Sequence, residues 1–148
     1  MKKFLFALQK VLDLREGIET NEKNKLSLLY LEQSELFRQR DIIEQLFQEN
    51  RIRQQQAYSE GVSINSLKFY TDFFDKIESQ AKENLVALNE LDVKIAQQIS
   101  IVLQATQDKE ILLKLREKQY GEYTELMRKA EEKFIEEFVS YQMITNPA

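Results

Sequence analysis

The residues with the clearest chemical potential are four glutamates near the carboxyl end of the chain, Glu131, Glu132, Glu136 and Glu137. Paired carboxylates can bind a cation, but helical carboxylate sites normally include a Glu-x-x-His pair. The sequence contains no histidine and no cysteine, so it offers no imidazole base, no thiolate and no zinc ligands. Its three glycines are far apart and form no phosphate-binding loop. We therefore interpret the glutamates as a solvated helix face, and we predict a protein that is not an enzyme, with no catalytic residue, metal or cofactor.

The elements that carry these side chains must be few and long, because the chain contains almost no turn-forming residues. Three glycines and one proline occur in 148 residues, whereas globular domains average roughly 7% glycine and 5% proline. The proline is Pro147, so no missing N–H interrupts a helix upstream of it. We expect helix over most of the chain and no strand.

Charge and hydropathy narrow the class of partner. Charged residues make up 31% of the chain with both signs interspersed, and nucleic-acid binding needs clustered Lys and Arg, so we expect no nucleic-acid partner. No stretch approaches the roughly 20 apolar residues of a membrane span. The opening MKKFLFALQKVLDLRE is interrupted by Gln9 and Lys10 and has no small-residue cleavage site, unlike an export signal. The spacing of its apolar residues predicts an amphipathic helix instead.

Apolar residues recur at heptad-like spacing in two long segments. The first segment contains Leu26, Leu29, Leu36, Ile43, Leu46 and Phe47. The second contains two interleaved seam series, Leu67, Phe74, Ala81, Leu88, Ile95 and Val102, and Tyr70, Ile77, Asn84, Leu91, Gln98 and Ala105. Between them, Gly61 suits a C′ position, and Ser63, Asn65 or Ser66 suits a helix N-cap. The predicted fold class is all-α, a long antiparallel two-helix coiled-coil hairpin with a longer C-terminal helix.

The hairpin is predicted as a single domain over residues 1–148. Its parts are a helix over about 3–58, a loop over about 59–65 and a helix over about 66–141. Folding at the loop brings residue i near residue 127 − i, so Gln98 would lie by Leu29, and the chain beyond about Met127 would have no partner on the first helix. That unpaired segment carries an apolar stripe, Met127, Phe134, Ile135, Phe138, Val139 and Tyr141. Such a stripe indicates that another molecule covers it.

The stretch LKFYTDFFDKI holds more aromatic residues than a two-helix seam uses. Phe69 and Phe73 are surplus to the seam positions. The surplus rings either close the end of the hairpin or form a partner surface, since aromatic anchors dominate interface energetics. Pattern and composition leave both interpretations open.

Two segments of the chain resemble the FliJ family, the small coiled-coil proteins of flagellar type III export. The opening KKFLFALQKVLDLRE is similar to the family's N-terminal signature, with a phenylalanine pair, Leu-Gln-Lys-Val-Leu and then Leu-Arg-Glu. The segment REKQYGEYTELMRKAEEKFIEEF is similar to its C-terminal pattern, in which a tyrosine-rich stretch precedes an Arg-x-x-Glu-x-Lys-like element and paired acids. The length, the single hairpin and the loop near Gly61 agree with the family across the whole chain.

This resemblance implies a cytoplasmic stalk that is peripheral to the inner membrane through its partners only. The implied partners are the hexameric export ATPase, the cytoplasmic domain of the export gate protein, and export chaperones. Carried over residue by residue, the family's gate-binding stripe falls on Phe73, Ile77, Gln80 and Asn84. The two chain ends would together form the tip that enters the ATPase ring, with contacts from Phe4, Phe6, Leu8, Met127, Phe134 and Phe138. The alternative for these tip residues is that they only join the helix ends to each other.

Three other functions fit the same pattern. A stalk of a virulence type III secretion system is the nearest alternative to the flagellar one. A generic coiled-coil scaffold or homodimer would use the C-terminal apolar stripe for self-association, and a holding chaperone would bind clients at the helix tips. Gene context discriminates among these, because a flagellar operon with an export ATPase gene would favour the flagellar function.

Overall fold

Two long α-helices make up most of residues 2–145, the part of the chain that the computed structural model describes. Helix α1 spans Gln9–Glu60 and helix α2 spans Ile64–Thr145. The helices pack against each other in antiparallel order, and no strand occurs within residues 2–145. The predicted all-α hairpin with a longer second helix is therefore confirmed. Over the same residues, neither helix is long and apolar enough to cross a membrane.

The connection between the helices consists of residues 61–63. Gly61 ends α1 with a φ of 95°, a left-handed conformation that glycine adopts without the steric penalty of a Cβ atom. The hydroxyl of Ser63 accepts a hydrogen bond from the backbone N–H of Ser66 at 3.2 Å. This is the geometry of an N-cap, so Ser63 is the cap of α2 among the three candidates.

The first helix begins at Gln9, later than the predicted start near residue 3. Residues 2–8 have no regular helix. In a continuous helix the carbonyl of Lys2 would accept a hydrogen bond from a backbone N–H one turn later. Here the Tyr123 hydroxyl donates to that carbonyl at 2.5 Å. A contact from a residue distant in the sequence thus replaces the local helical bond at this carbonyl.

The chain forms two compact units, each with its own buried side chains. One unit is Asn21–Val102, where α2 buries Ile77, Asn84, Leu88, Leu91, Ile95 and Gln98. All six belong to the two predicted seam series. The other unit combines Met1–Thr20 with Leu103–Ala148, and its buried residues include Phe6, Leu12, Glu19 and Ala105. The single domain over residues 1–148 stays a prediction.

The pairing of the helices in the 21–102 unit agrees with the predicted register at some contacts and departs from it at others. Tyr70 packs on Tyr58, next to its predicted position, and Gln33 bonds to Asp92 within two residues of its predicted position. The Gln98 amide instead donates to the backbone carbonyl of Glu22 at 3.0 Å rather than lying by Leu29. In the observed register, Asn84 also reaches a backbone carbonyl of α1. Because a buried amide without a partner costs free energy, both polar seam residues are stabilised by these cross-helix bonds.

Candidate partner-binding surfaces

The predicted gate stripe, Phe73, Ile77, Gln80 and Asn84, lies along α2 in the 21–102 unit. Ile77 and Asn84 are buried, with 5% and 7% of their surface exposed. Phe73 and Gln80 are half-buried. The stripe therefore follows the seam between the helices, and solvent reaches it mainly at Phe73 and Gln80.

A groove of about 420 Å³ runs along one flank of that seam. Helix α1 contributes Leu36, Gln39, Ile42, Ile43 and Leu46, and α2 contributes Gln80, Glu83, Asn84 and Ala87. Most of the residues that line the groove are aliphatic, and a few polar side chains lie between them. This combination is typical of a site that recognises apolar side chains with defined orientation.

The groove brings together two of the four gate-stripe residues, Gln80 and Asn84, while Phe73 and Ile77 lie outside its lining. It also adds α1 residues that sequence reasoning missed as site residues. One signal could have found them. Ile42 directly precedes Ile43 and is surplus to the heptad pattern, which is the same criterion that singled out Phe73.

Phe73 belongs to a cluster of rings near the connection. Its ring stacks on Phe69 with centroids 6.4 Å apart and an interplanar angle of 20°, and it meets Phe74 edge-on at 5.6 Å. Phe74 in turn meets Phe47 of α1 at 5.6 Å. Aromatic pairs of this kind stabilise a fold by about 0.5–1.5 kcal/mol beyond burial. Phe73 thus contributes to the packing of this end, while Phe69 stays 62% exposed.

The three predicted tip residues before α1 differ in their environment. Phe6 is buried and Leu8 is exposed. Phe4 is half-buried and packs edge-on against Tyr120, with ring centroids 5.3 Å apart, and against Tyr123 at 5.6 Å. Phe4 therefore packs on α2 about one helical turn before Met127, the first of the remaining predicted tip residues.

Those remaining tip residues lie near the end of α2. Met127 is half-buried, whereas Phe134 and Phe138 are 68% and 54% exposed. Every residue of the C-terminal segment, residues 128–145, is exposed. The segment also exposes the apolar side chains Ile135, Val139, Tyr141, Met143 and Ile144.

Ion pairs along the helix surround the start of the C-terminal segment. The Arg128 guanidinium bonds to the Glu125 carboxylate at 2.6 Å and also to Glu132. Its hydrogen bond lowers the pKa of Glu125, and the same carboxylate, followed by Glu132, raises the pKa of Arg128. The four glutamates of the acidic group lie on exposed helix. Across residues 2–145, no group of three or more carboxylates is arranged to hold a metal ion.

Both compact units contain a cross-helix contact between partly buried polar or charged side chains. In the 21–102 unit, the Gln98 amide that reaches the Glu22 carbonyl also donates to the Glu22 carboxylate, at 2.6 Å. This hydrogen bond, followed by that from Lys25, lowers the pKa of the Glu22 carboxyl. In the other unit, the Lys109 ammonium lies 3.0 Å from the Glu19 carboxylate, whose hydrogen bond raises the pKa of Lys109.

Comparison with known protein families finds a match over nearly the whole chain. The family model described as flagellar FliJ protein matches residues 3–148 of the chain. No curated protein matches, and no solved structure matches. The matched range contains both helices, the groove and the C-terminal segment.

Proposed function

The chain belongs to the flagellar FliJ protein family and is a flagellar export-associated protein, and from this we propose that it is the stalk of the export ATPase ring. Its proposed partners are the hexameric export ATPase, the cytoplasmic domain of the export gate protein, and the export chaperones that it escorts. In this role it is cytoplasmic and reaches the inner membrane only through those partners. It performs no chemistry itself and acts by changing the turnover of the ATPase.

The observation that carries the proposal is the exposure of Phe134 and Phe138 in the C-terminal segment. Each phenylalanine is followed by an exposed aliphatic residue, Ile135 and Val139. These adjacent pairs make the apolar face wider than the seam of a two-helix pair requires. A face of this width is covered best by a concave partner with several walls, such as the interior of a hexameric ring.

The residues before α1 have two different roles in this proposal. Leu8 is exposed and would touch the ring directly. Phe4 and Phe6 are packed within their own unit, so they would act by holding the end of the hairpin in place. Stimulation would then arise because a single asymmetric stalk contacts the ring subunits differently. Only contacts that differ between subunit conformations can shift their populations.

The groove beside the seam is the proposed contact for the gate protein. Gln80 and Asn84 line it together with aliphatic residues of α1, which offers apolar walls and fixed polar groups to a segment of the gate. Phe73 would contribute through its half-exposed ring. Ile77 is buried, so its part in this contact is to support the seam.

The stalk proposal is tested by the ATP turnover of the purified export ATPase with variants of this protein. We expect the double substitution Phe134→Ala and Phe138→Ala to weaken stimulation about tenfold or more, since exposed aromatic anchors dominate interface energies. The matched control is Ile64→Ala, which removes an apolar side chain that is 85% exposed at the opposite end of α2. It should leave stimulation unchanged.

Deletions extend the same test to both chain ends. Removing residues 1–8 or residues 127–148 should abolish stimulation, while circular dichroism still reports a helical protein. Full stimulation by a protein that lacks both ends would overturn the assignment of the tip. The connection around Gly61 would then become the candidate.

A further inference from the structure

The groove beside the seam has a negative flank. Among its lining residues, Glu83 carries the charge. Residues seven apart lie above one another on the same side of a coiled-coil helix, in one column. This spacing places Glu90 in the column of Glu83 on α2, and Glu32 in the column of Gln39 on α1. All three carboxylates are exposed.

These carboxylates are only partly offset by nearby lysines. Within residues 2–145, none of the three forms an ion pair. Next to Gln39, the Arg38 guanidinium is held by Glu35 at 2.6 Å. Lys76, one heptad before Glu83, and Lys94, one heptad beyond Ala87, offset two of the three charges. The flank therefore keeps a net negative charge that a partner can meet.

The shape of the groove suits a third helix. Its α1 wall runs from Leu36 to Leu46, about 15 Å at the rise of an α-helix, or nearly three turns. Both walls are helices, so an extended peptide would find no strand edge to pair with. A helix laid between them would instead complete a three-helix bundle. Recognition of this kind uses apolar anchors at positions i, i+3, i+4 and i+7 of the incoming helix.

We propose that the groove binds a basic amphipathic helix, with aliphatic side chains between α1 and α2 and a lysine or arginine against Glu83. The proposal rests on the assignment of the groove to the gate protein, and it specifies the chemistry of the gate segment that enters. An acidic helix of the same shape is rejected, because it would bring like charges together at Glu83.

Charge reversal at the groove tests the proposal with the gate's cytoplasmic domain. We expect Glu83→Lys to weaken binding about tenfold at low salt, and the difference from the wild type to shrink at about 1 M salt, where charges are screened beyond about 3 Å. The matched control is Glu122→Lys, the same substitution at an exposed position of α2 outside the groove. It changes the total charge equally and should leave the affinity within about twofold of the wild type.

Two designed peptides test the chemistry of the groove without the gate. Both are helices with leucines at positions i, i+3, i+4 and i+7, and they differ only in carrying lysines or glutamates on the flanks. We expect the lysine peptide to bind the full chain about tenfold more tightly than the glutamate peptide. Glu83→Lys should narrow or reverse this preference. A misfolded variant cannot produce a reversal, since it would bind neither peptide well.

The outcomes separate this proposal from the gate assignment. The basic-helix proposal would be overturned if both peptides bound equally well, or if Glu83→Lys and Glu122→Lys bound the gate with equal affinity. In either case, a measurable affinity for the gate would still support the gate contact. If the protein preferred the lysine peptide but did not bind the gate, the proposed chemistry of the groove would be supported. The gate would then be excluded as the partner.

Discussion

The side-chain amide of Asn84 on α2 donates a hydrogen bond to the backbone carbonyl of Leu36 on α1, across 3.0 Å. A polar residue in a heptad seam lowers stability and disfavours alignments in which it has no partner. Gln98 makes an equivalent contact with Glu22 further along the same unit. The Glu22 carboxylate, which also accepts a hydrogen bond from Gln98, is a partner that a shift of one heptad would remove.

Replacing Asn84 tests this role. Asn84→Asp would aim a buried carboxylate at the Leu36 carbonyl, and we expect it to lower the free energy of unfolding by about 1–3 kcal/mol. Asn84→Leu should keep or raise that free energy, since it removes a polar group from the seam. Urea unfolding at neutral pH measures both changes. The same substitution at an exposed position, Asn89→Asp, should stay within about 0.5 kcal/mol of the wild type, and an equally small effect of Asn84→Asp would contradict the role.

The contact between Gln98 and Glu22 predicts a specific pH dependence. The pKa of Glu22 in the folded protein lies below its usual value of 4.5, mainly because of the hydrogen bond from Gln98. The contact therefore stabilises the fold above about pH 4.5 and is lost as the pH falls through the lowered pKa. Gln98→Leu should raise the pKa of Glu22 toward its usual value.

A carboxyl-detected NMR titration measures that change directly. The internal control is Glu35, whose pKa is lowered by its hydrogen bond with Arg38 and should not respond to Gln98→Leu. A Glu22 titration curve that is unchanged in the variant would show that the hydrogen bond does not set its pKa.

The three glycines divide into two classes with opposite predicted effects. An added Cβ would meet nothing within 4 Å at Gly17, Gly61 or Gly121, so the backbone alone decides the outcome. Gly17→Ala and Gly121→Ala lie within helices and should each stabilise the protein by about 0.5–1 kcal/mol. Gly61→Ala should destabilise it by about 1–2 kcal/mol, because its φ of 95° is unfavourable for alanine. Thermal unfolding distinguishes the two classes, and stabilisation by Gly61→Ala would contradict the assignment.

The gate proposal predicts different effects of a new arginine at two adjacent positions. Gln80 lines the groove, whereas Ser79 is exposed outside it. Gln80→Arg should weaken binding of the gate's cytoplasmic domain about tenfold, since a bulky charge would stand among the apolar walls. Ser79→Arg should bind as the wild type does. Equal affinities of the two variants, measured by calorimetry, would remove the groove from the proposal.

Phe73→Ala separates partner binding from packing at the same surface. The substitution removes the ring contacts with Phe69 and Phe74, so we expect a loss of stability of about 1 kcal/mol. If Phe73 also contacts the gate, the affinity for the gate should fall even at a temperature where the variant is fully folded. A binding loss that only follows unfolding would assign Phe73 to packing alone.

The seam of α2 could be predicted from the sequence because heptad spacing fixes which side of a long helix is buried. The buried residues from Ile77 to Ala105 all lie in the predicted series. The same pattern conflicts with an exposed gate stripe, since Ile77 and Asn84 cannot both form the seam and face solvent. The structure resolves this conflict in favour of the seam.

Two other features depended on contacts that no local pattern encodes. The segment before α1 is held by the bond between Tyr123 and Lys2, which are far apart in the sequence. The groove depends on how side chains of α1 and α2 meet across the seam. Periodicity predicts that each helix has an apolar side, but not which surplus residues, such as Ile42, flank the contact.

The exposure of residues 128–145 has a kinetic consequence. An isolated helix of this length gains little stability from its own backbone in water, and here tertiary packing adds little to the pairs around Arg128. Its amide hydrogens should therefore exchange with solvent much sooner than those of the seam. A partner that covers this segment should slow that exchange, so amide protection at the end of α2 reports partner binding.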